Sequence, residues 1–352
     1  MTASRALAMR IVACGFAVWL GALAVHPAGA AAADVADFYR GKTLTCYIGY
    51  GVGGGYDLIA RTISRHMGRH IPGEPSIIPV NMPGASSMVL ANFLAKRAPA
   101  DGTVFGAVNS ALVYEPLFDG DASQAQFKGP DLTMIGNAVS SASVLFAWHT
   151  TGIKTIDDLR HKPLIIGAPT KSGDTYLQPL AIKNVLGLDQ LKIITGYPGT
   201  REIVLAIEQG ELQGRVWDMD GLLAARPDWL KDHLINILAQ LAPKKMPEVS
   251  ADVPLIKDYV ADADDKKVLD VIFMSTILAR PYIAPPGVPA ERVRALRDAF
   301  MATMRDPEFL AETNRMELTI APTSGEDMQD IVRENYGLPE SIILKVRKAL
   351  TE

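Results

Sequence analysis

The chain is 352 residues long and 48% hydrophobic, with only two cysteines. That length allows two hydrophobic cores without a disulfide framework. The formal net charge is −4, and there is no basic block or basic–aromatic interleaving, which excludes nucleic acid as the expected partner.

The N-terminus reads as an export signal. Arg5 and Arg10 flank the start of an apolar run, Ile11 to Val25, and small residues follow through Ala33. Ala28-Gly29-Ala30 fits the Ala-x-Ala cleavage pattern. A bilayer span needs about 20 apolar residues, so a cleaved signal over residues 1–32 is expected rather than an anchor. Ile11-Val12-Ala13-Cys14 loosely resembles a lipobox, but most of the apolar run lies after Cys14. Export would leave one cysteine, Cys46, in an apolar strand-like run, where a buried small hydrophobe is the expectation.

Strand-like and helix-like patterns then alternate. Strands are predicted at Leu44–Gly49, Ile77–Asn81, Val104–Val108, Leu132–Gly136, Val144–Trp148, Leu164–Gly167, Lys192–Thr195 and Ile235–Ala239. Most are short apolar runs bounded by Gly, Pro or Asn, as in a sheet covered on both faces. Helix starts are marked by Thr155-Ile-Asp-Asp158, by Asp306-Pro307 and by Ser324-Gly-Glu-Asp327. Val293, Leu296, Phe300 and Met304 share one helical face and are predicted to be core. The alternation predicts an α/β fold of open, mainly parallel sheets, with ligands at the carboxyl ends of the strands.

The loop after the first strand, Gly49-Tyr50-Gly51-Val52-Gly53-Gly54-Gly55, has three readings. Gly49-x-Gly51-x-x-Gly54 matches the dinucleotide fingerprint, but the required acid about 20 residues on has only Glu74 as a candidate. A tight turn is the second reading. The third is an anion site, with bare amides before a helix whose dipole favours negative charge. Asp57 sits where that helix begins and is expected to be a cap or first-turn residue; facing a cleft, it would disfavour a second carboxylate and so bear on selectivity. His66 and His70 are four apart on the same predicted helix, but no H-E-x-x-H pattern joins them and a solvated face is expected. Gly84-Ala-Ser86 lacks the second glycine of a nucleophile elbow, and no catalytic residue, metal site or cofactor is predicted.

Four segments in register resemble the Bug family, the extracytoplasmic solute receptors of tripartite tricarboxylate transporters. They are Gly53-Gly-Gly-Tyr-Asp57 with Ala60-Arg61, Asn81-Met-Pro-Gly-Ala85, Ala100-Asp-Gly-Thr103, and Arg280-Pro281 with Pro285-Pro-Gly-Val-Pro289. Val52 stands where the family commonly has proline. The resemblance implies a two-lobed type II periplasmic binding protein that is not an enzyme. The first lobe would comprise 33–139 plus 242–352 and the second 140–241, with crossings near Ala138–Ser141 and Leu238–Pro243. It would be an expected monomer that works in the periplasm with membrane permease subunits. It also implies that the first-lobe loop (Tyr50, Val52, Gly53, Gly54, Gly55, with Asp57) helps to hold a small organic carboxylate.

Asn81, Ala85, Ser86, Asn109 and Ser110 lie in two further strand-end loops of that lobe, as ligand contacts or as turn and cap residues. Ser172, Gly173, Thr175, Gly199, Thr200, Arg201 and Asp218 would complete the pocket from the second lobe. Lys171 and Arg201 are charged candidates for which a solvated role is favoured. Trp217 is placed either over the ligand or in the core. An exported enzyme or a sensory receptor using the same cleft remains an alternative function.

Overall fold

The computed structural model describes residues 28–119, 123–140, 142–169, 171, 174–316 and 318–351. The expected signal segment therefore lies almost wholly outside the described residues, as do Ser172 and Gly173. Among the described residues, no helix is long and apolar enough to cross a membrane.

Eleven strands are found in the described residues. In chain order they are β1 (Thr43–Ile48), β2 (Ser76–Asn81), β3 (Val104–Ala107), β4 (Thr133–Asn137), β5 (Ser143–Trp148), β6 (Leu164–Ala168), β7 (Leu191–Thr195), β8 (Gly214–Asp218), β9 (Ile235–Leu241), β10 (Pro281–Ala284) and β11 (Thr323–Ser324). They form two sheets, ordered β11-β4-β10-β3-β1-β2 and β7-β6-β8-β5-β9. The eight predicted strands are all present. Three were not predicted: β8, whose apolar run is broken by Arg215, β10, which lies in a proline-rich stretch, and the two-residue β11.

Direction within the sheets explains the mixed pairing. β1 pairs in parallel with β2 and β3, and β6 with β7 and β8. The reversed strands are β5, antiparallel to β8 and β9, and β10, antiparallel to β3 and β4, with β11 antiparallel to β4. β5 is the first strand after the chain leaves the first sheet, and β10 the first after it returns. Both sheets are thus mixed, with most strands running one way and the reversed ones, β10 and β11 in the first sheet and β5 in the second, following the points where the chain crosses over.

Each sheet is covered on both faces. One first-sheet core gathers Leu44, Cys46, Ile48, Phe105, Leu296 and Phe300, and the opposite face packs Leu90, Leu94, Met134 and Ile283. β3 is buried along its whole length, as expected of a strand between two helix layers. Leu296, Phe300 and Met304 are buried, so the predicted helical stripe is core. Burial pushes the Cys46 thiol up to about 12 against a hydrogen bond from Ser64, leaving an inert packing residue. Second-sheet cores hold Leu145, Ile166, Ala181 and Val216 on one face and Phe146, Trp217 and Trp229 on the other. Residues past the predicted crossing at Leu238–Pro243, including Met246, Ile256, Leu269 and Phe273, pack with this second sheet.

Helix starts follow the sequence signals. Ser324 accepts the Asp327 amide at 3.1 Å, and Asp306 accepts those of Glu308 and Phe309. Thr155 and Asp158 form a reciprocal capping box, but it opens only one short 3-10 turn, Asp157–Arg160.

Candidate functional site

The parallel register of β1 and β2 places Ile48 beside Asn81 at the carboxyl edge of the sheet, directly under the glycine loop. The loop turns into the helix Gly55–Met67. Gly53 has φ +89°, which only glycine adopts without strain. Asp57, 1% exposed, organises the turn. One carboxylate oxygen accepts the Gly53 amide at 2.9 Å, and the other accepts Arg61 Nε at 2.9 Å and Asn81 Nδ2 at 2.8 Å. Burial pushes the Asp57 carboxyl up, but Arg61 with the Gly53 and Asn81 amides together holds it below the usual carboxylate value. Asn81 also donates to the Tyr50 carbonyl at 2.9 Å and accepts Arg61 Nη2 at 2.7 Å.

The chain thus supplies its own anion to part of the predicted cradle. The Gly53 amide is taken by Asp57. The amides of Gly54, Gly55 and Tyr56 donate to no other described group, so the loop still presents donors at a helix start. Glu74 sits in a turn at φ 48° before β2, away from the carboxyl end of that strand, so the dinucleotide pattern is not completed.

Between the two sheets lies a cavity of about 270 Å³. The first-sheet side contributes Tyr56, Asn109 and Ser110, and the return segment adds Ser275, Thr276, Ala279 and Arg280. The second-sheet side contributes Ser143, Thr175, Trp217 and the carboxylates Asp174, Asp218 and Asp220. Ser143 and Asp218 are opposed across β5 and β8, which brings both to the cleft end of that sheet. A larger recess of about 470 Å³ is a surface groove elsewhere, in which Lys345 pairs with Asp265 at 3.0 Å.

Of the predicted site residues, the cavity gathers Asn109, Ser110, Thr175 and Asp218. Tyr50 stands behind it, stacked on Tyr56 with centroids 4.3 Å apart and accepting Asn109 Nδ2 at 2.6 Å. Val52 and Gly53 to Gly55 are exposed at the rim, while Asp57 and Asn81 are scaffold beneath them. Ala85 and Ser86 form a left-handed turn outside the cavity. Gly199 precedes the helix Thr200–Glu208, and neither it, Thr200 nor the exposed Arg201 lines the cavity. Trp217 does both things expected of it, being 4% exposed in the core and also lining the cavity.

Sequence reasoning missed Arg280, Tyr56, Asp174 and Asp220. Arg280 is the cation of the cavity. Its backbone amide is fixed by Asn137 Oδ1 at 2.8 Å, and its half-buried guanidinium lies against the loop, with Nη1 3.4 Å from the Gly55 carbonyl. It also sits 5.7 Å from the Tyr56 ring centroid and makes no ion pair with a described residue. The signal was present, because Arg280 stands inside a matched segment, but a sequence motif does not say which way a side chain faces.

A Cβ at Gly55 would lie 2.9 Å from Arg280 Nη2, whereas one at Gly54 meets nothing within 4 Å. Gly55→Ala is therefore expected to displace the guanidinium without unfolding the protein, because the crowded atom is the end of a flexible side chain. Gly54→Val is expected to fold normally and to shield the loop amides. Urea unfolding and ligand titration of both variants measure the two effects.

The helix face carrying His66 and His70 is only partly solvated: His66 is buried, whereas His70 is half-buried and Arg65 and Arg69 are exposed. His66 is 9% exposed and contacts Glu312 at 2.7 Å and Arg69 at 2.6 Å, and His70 contacts Asp306 at 2.8 Å. His66, Asp306 and Glu308 come close enough to hold an ion, but Arg69 already pairs with both acids. This cluster ties the loop helix to the helix Pro307–Arg315.

No family model matches the sequence, and no curated protein matches it. Solved structures do. A TctC solute-binding protein from Polaromonas, without ligand, is 15% identical with a TM-score of 0.68, covering 88% of this chain and 99% of its own. The periplasmic binding protein BugD is 16% identical with a TM-score of 0.57, covering 88% and 98%. MatC from Rhodopseudomonas palustris, with bound malate, is 16% identical with a TM-score of 0.56, covering 88% and 99%. The chain has the fold of the two-lobed periplasmic solute-binding proteins.

Proposed function

We propose that this protein captures a small organic carboxylate in the cleft between its sheets, without transforming it, and delivers it to the permease subunits of a tripartite tricarboxylate-type transporter. It does so in the periplasm, as a monomer, after loss of its signal segment. The observation that carries this reading is Arg280, a half-buried guanidinium without an ion pair to a described residue, facing the cavity beside the open amides of Gly54, Gly55 and Tyr56. A fork of donors beside a helix start matches a carboxylate in both shape and charge. The Asn109, Ser110 and Thr175 side chains add hydrogen-bonding partners. MatC, of the same fold, was solved with malate. The lobes are drawn with the return crossing at Met274–Arg280, since Ala242 to Phe273 pack with the second sheet.

Desolvating a carboxylate costs several kcal/mol, and each hydrogen bond to a charged group returns about 1.5–3 kcal/mol. Three or four donors reach or slightly exceed balance. Lobe closure over the ligand body supplies the remainder of the roughly −8.2 kcal/mol that micromolar affinity requires.

The test is a thermal-shift screen of purified protein against small carboxylates, followed by calorimetric titration. Saturable binding without substrate loss is expected. At about 100 times Kd, linkage adds about 2.7 kcal/mol of stability. Turnover of a bound acid, or no response to any carboxylate, would overturn the reading.

A further inference from the structure

The cavity is a site on grounds of its position and of Arg280, but its charge does not suit a plain acid. Among the described residues it is lined by three carboxylates, Asp174, Asp218 and Asp220, against the guanidinium of Arg280, while the buried Arg215 behind Trp217 also acts on Asp218 without lining the cavity. Asp218 caps the helix Met219–Ala225 by accepting the Gly221 amide at 2.6 Å, which fixes its carboxylate at the end of β8. Asp220 stands in the first turn of that helix, and Asp174 begins the helix Asp174–Leu186. The anions act on one another. Asp174 and Asp218 are both exposed to the open cleft; partial desolvation by the cleft walls first and the charge of Asp218 second raise the Asp174 carboxyl, against a hydrogen bond from Ser275 across the cleft. Desolvation, then Asp218 and Glu248, raise that of Asp220, opposed by Thr319 and Arg280. Tyr56 faces Asp174 from the loop helix as a neutral phenol, its ionisation disfavoured first by burial.

The lining of the cleft is therefore polarised. Its exposed positive charge and open amides lie beside the first-sheet loop, and its carboxylates lie on the second-sheet side. Resting on the carboxylate reading above, we propose that the captured acid also carries a protonated amine, which Asp174, Asp218 and Asp220 receive while Arg280 and the loop amides hold its carboxylate. An ammonium relieves the mutual repulsion of the three aspartates, whereas a second carboxylate adds to it. The cavity volume fits a small molecule of this kind.

The test uses linear probes of matched length in three charge types, namely diacids such as succinate, ω-amino acids such as γ-aminobutyrate, and diamines such as putrescine. They are titrated into the purified full-length mature chain. At equal length the amino acids are expected to bind about tenfold or more tightly than the diacids. Asp218→Asn, which keeps a capping side chain, is expected to erase that preference while retaining the fold. Affinity for the amino acids is expected to rise with pH above the ordinary aspartate range, as the raised carboxyls of Asp174 and Asp220 ionise.

Diacids binding as tightly as the amino acids would overturn this inference and leave the carboxylate reading standing. Diamines binding alone would sustain the amine and overturn the carboxylate reading. Affinity falling as pH rises would mean that protonated aspartates receive a ligand carboxylate, and it would overturn the inference. So would no response to any amino-bearing probe.

Discussion

Arg280→Ala is expected to weaken binding of the captured acid by about 10- to 100-fold while leaving the unfolding midpoint nearly unchanged. The size follows from the bond lost. A hydrogen bond to a charged group is worth about 1.5–3 kcal/mol, and each 1.4 kcal/mol is tenfold in affinity. Stability is spared because the guanidinium makes no ion pair with a described residue, only a long contact to the Gly55 carbonyl and a distant one to the Tyr56 ring. The backbone at residue 280 stays anchored through Asn137 whatever the side chain. Arg280→Lys keeps the charge but loses the planar fork, and it should fall between the two. Arg201→Ala is the matched control, an exposed cation outside the cavity, expected to change affinity not at all. Calorimetric titration of the three variants decides the matter. Equal affinity for wild type and Arg280→Ala, or a large loss at Arg201→Ala, would place the anion site elsewhere.

The contrast between these two arginines shows where sequence reading reaches its limit. Periodicity and turn residues located eight strands, because each is a short run rich in apolar residues, whether buried throughout like β3 or half-exposed at a sheet edge like β2 and β7. β8 escaped because Arg215 interrupts its run, yet Arg215 is 1% exposed and stacks on Trp217 at 4.3 Å. Burial lowers that guanidinium to about 10, opposed by Asp218. A buried cation packed on an aromatic face reads in one dimension like a surface charge.

The same limit applies to the site. Asn109, Ser110, Thr175 and Asp218 follow strands or open helices at the cleft edge, so their positions were legible from topology. Gly199 and Thr200 also lie at a strand-end loop, but outside the cavity. Arg280 and Ser275 belong to the crossing segment, and their convergence with the loop depends on where the chain returns between sheets. With the second crossing expected near Leu238–Pro243, that convergence was not visible in the sequence. Asp57 was read correctly as a helix-start residue, but its partner Asn81 was read as a possible ligand contact. The parallel pairing of β1 with β2 brings the two together.

That pairing underlies the other large effect. Asp57→Ala is expected to destabilise the protein by about 3 kcal/mol or more, the cost of removing one partner from a buried ion pair. Three donors lose their acceptor at once: Arg61 Nε, the Gly53 amide and Asn81 Nδ2. The estimate sits at the low end of the usual range because the Arg61 side chain keeps 32% exposure and water can reclaim it. Asp57→Asn retains the shape and one acceptor oxygen, so a smaller loss is expected. Urea unfolding should show a lower midpoint with an unchanged slope, as for a local loss rather than an altered denatured state. The effect also carries a pH signature. The folded carboxyl lies below its unfolded value of about 3.9, so its contribution is fully present above that value and is lost as pH falls through the folded one. The gap between wild type and Asp57→Ala should therefore be constant near neutral pH and narrow in acid. A gap that widens in acid would mean that Asp57 is strained rather than stabilised in the loop. An Asp57→Ala protein as stable as wild type would mean that the glycine turn holds its shape without the anion at its centre.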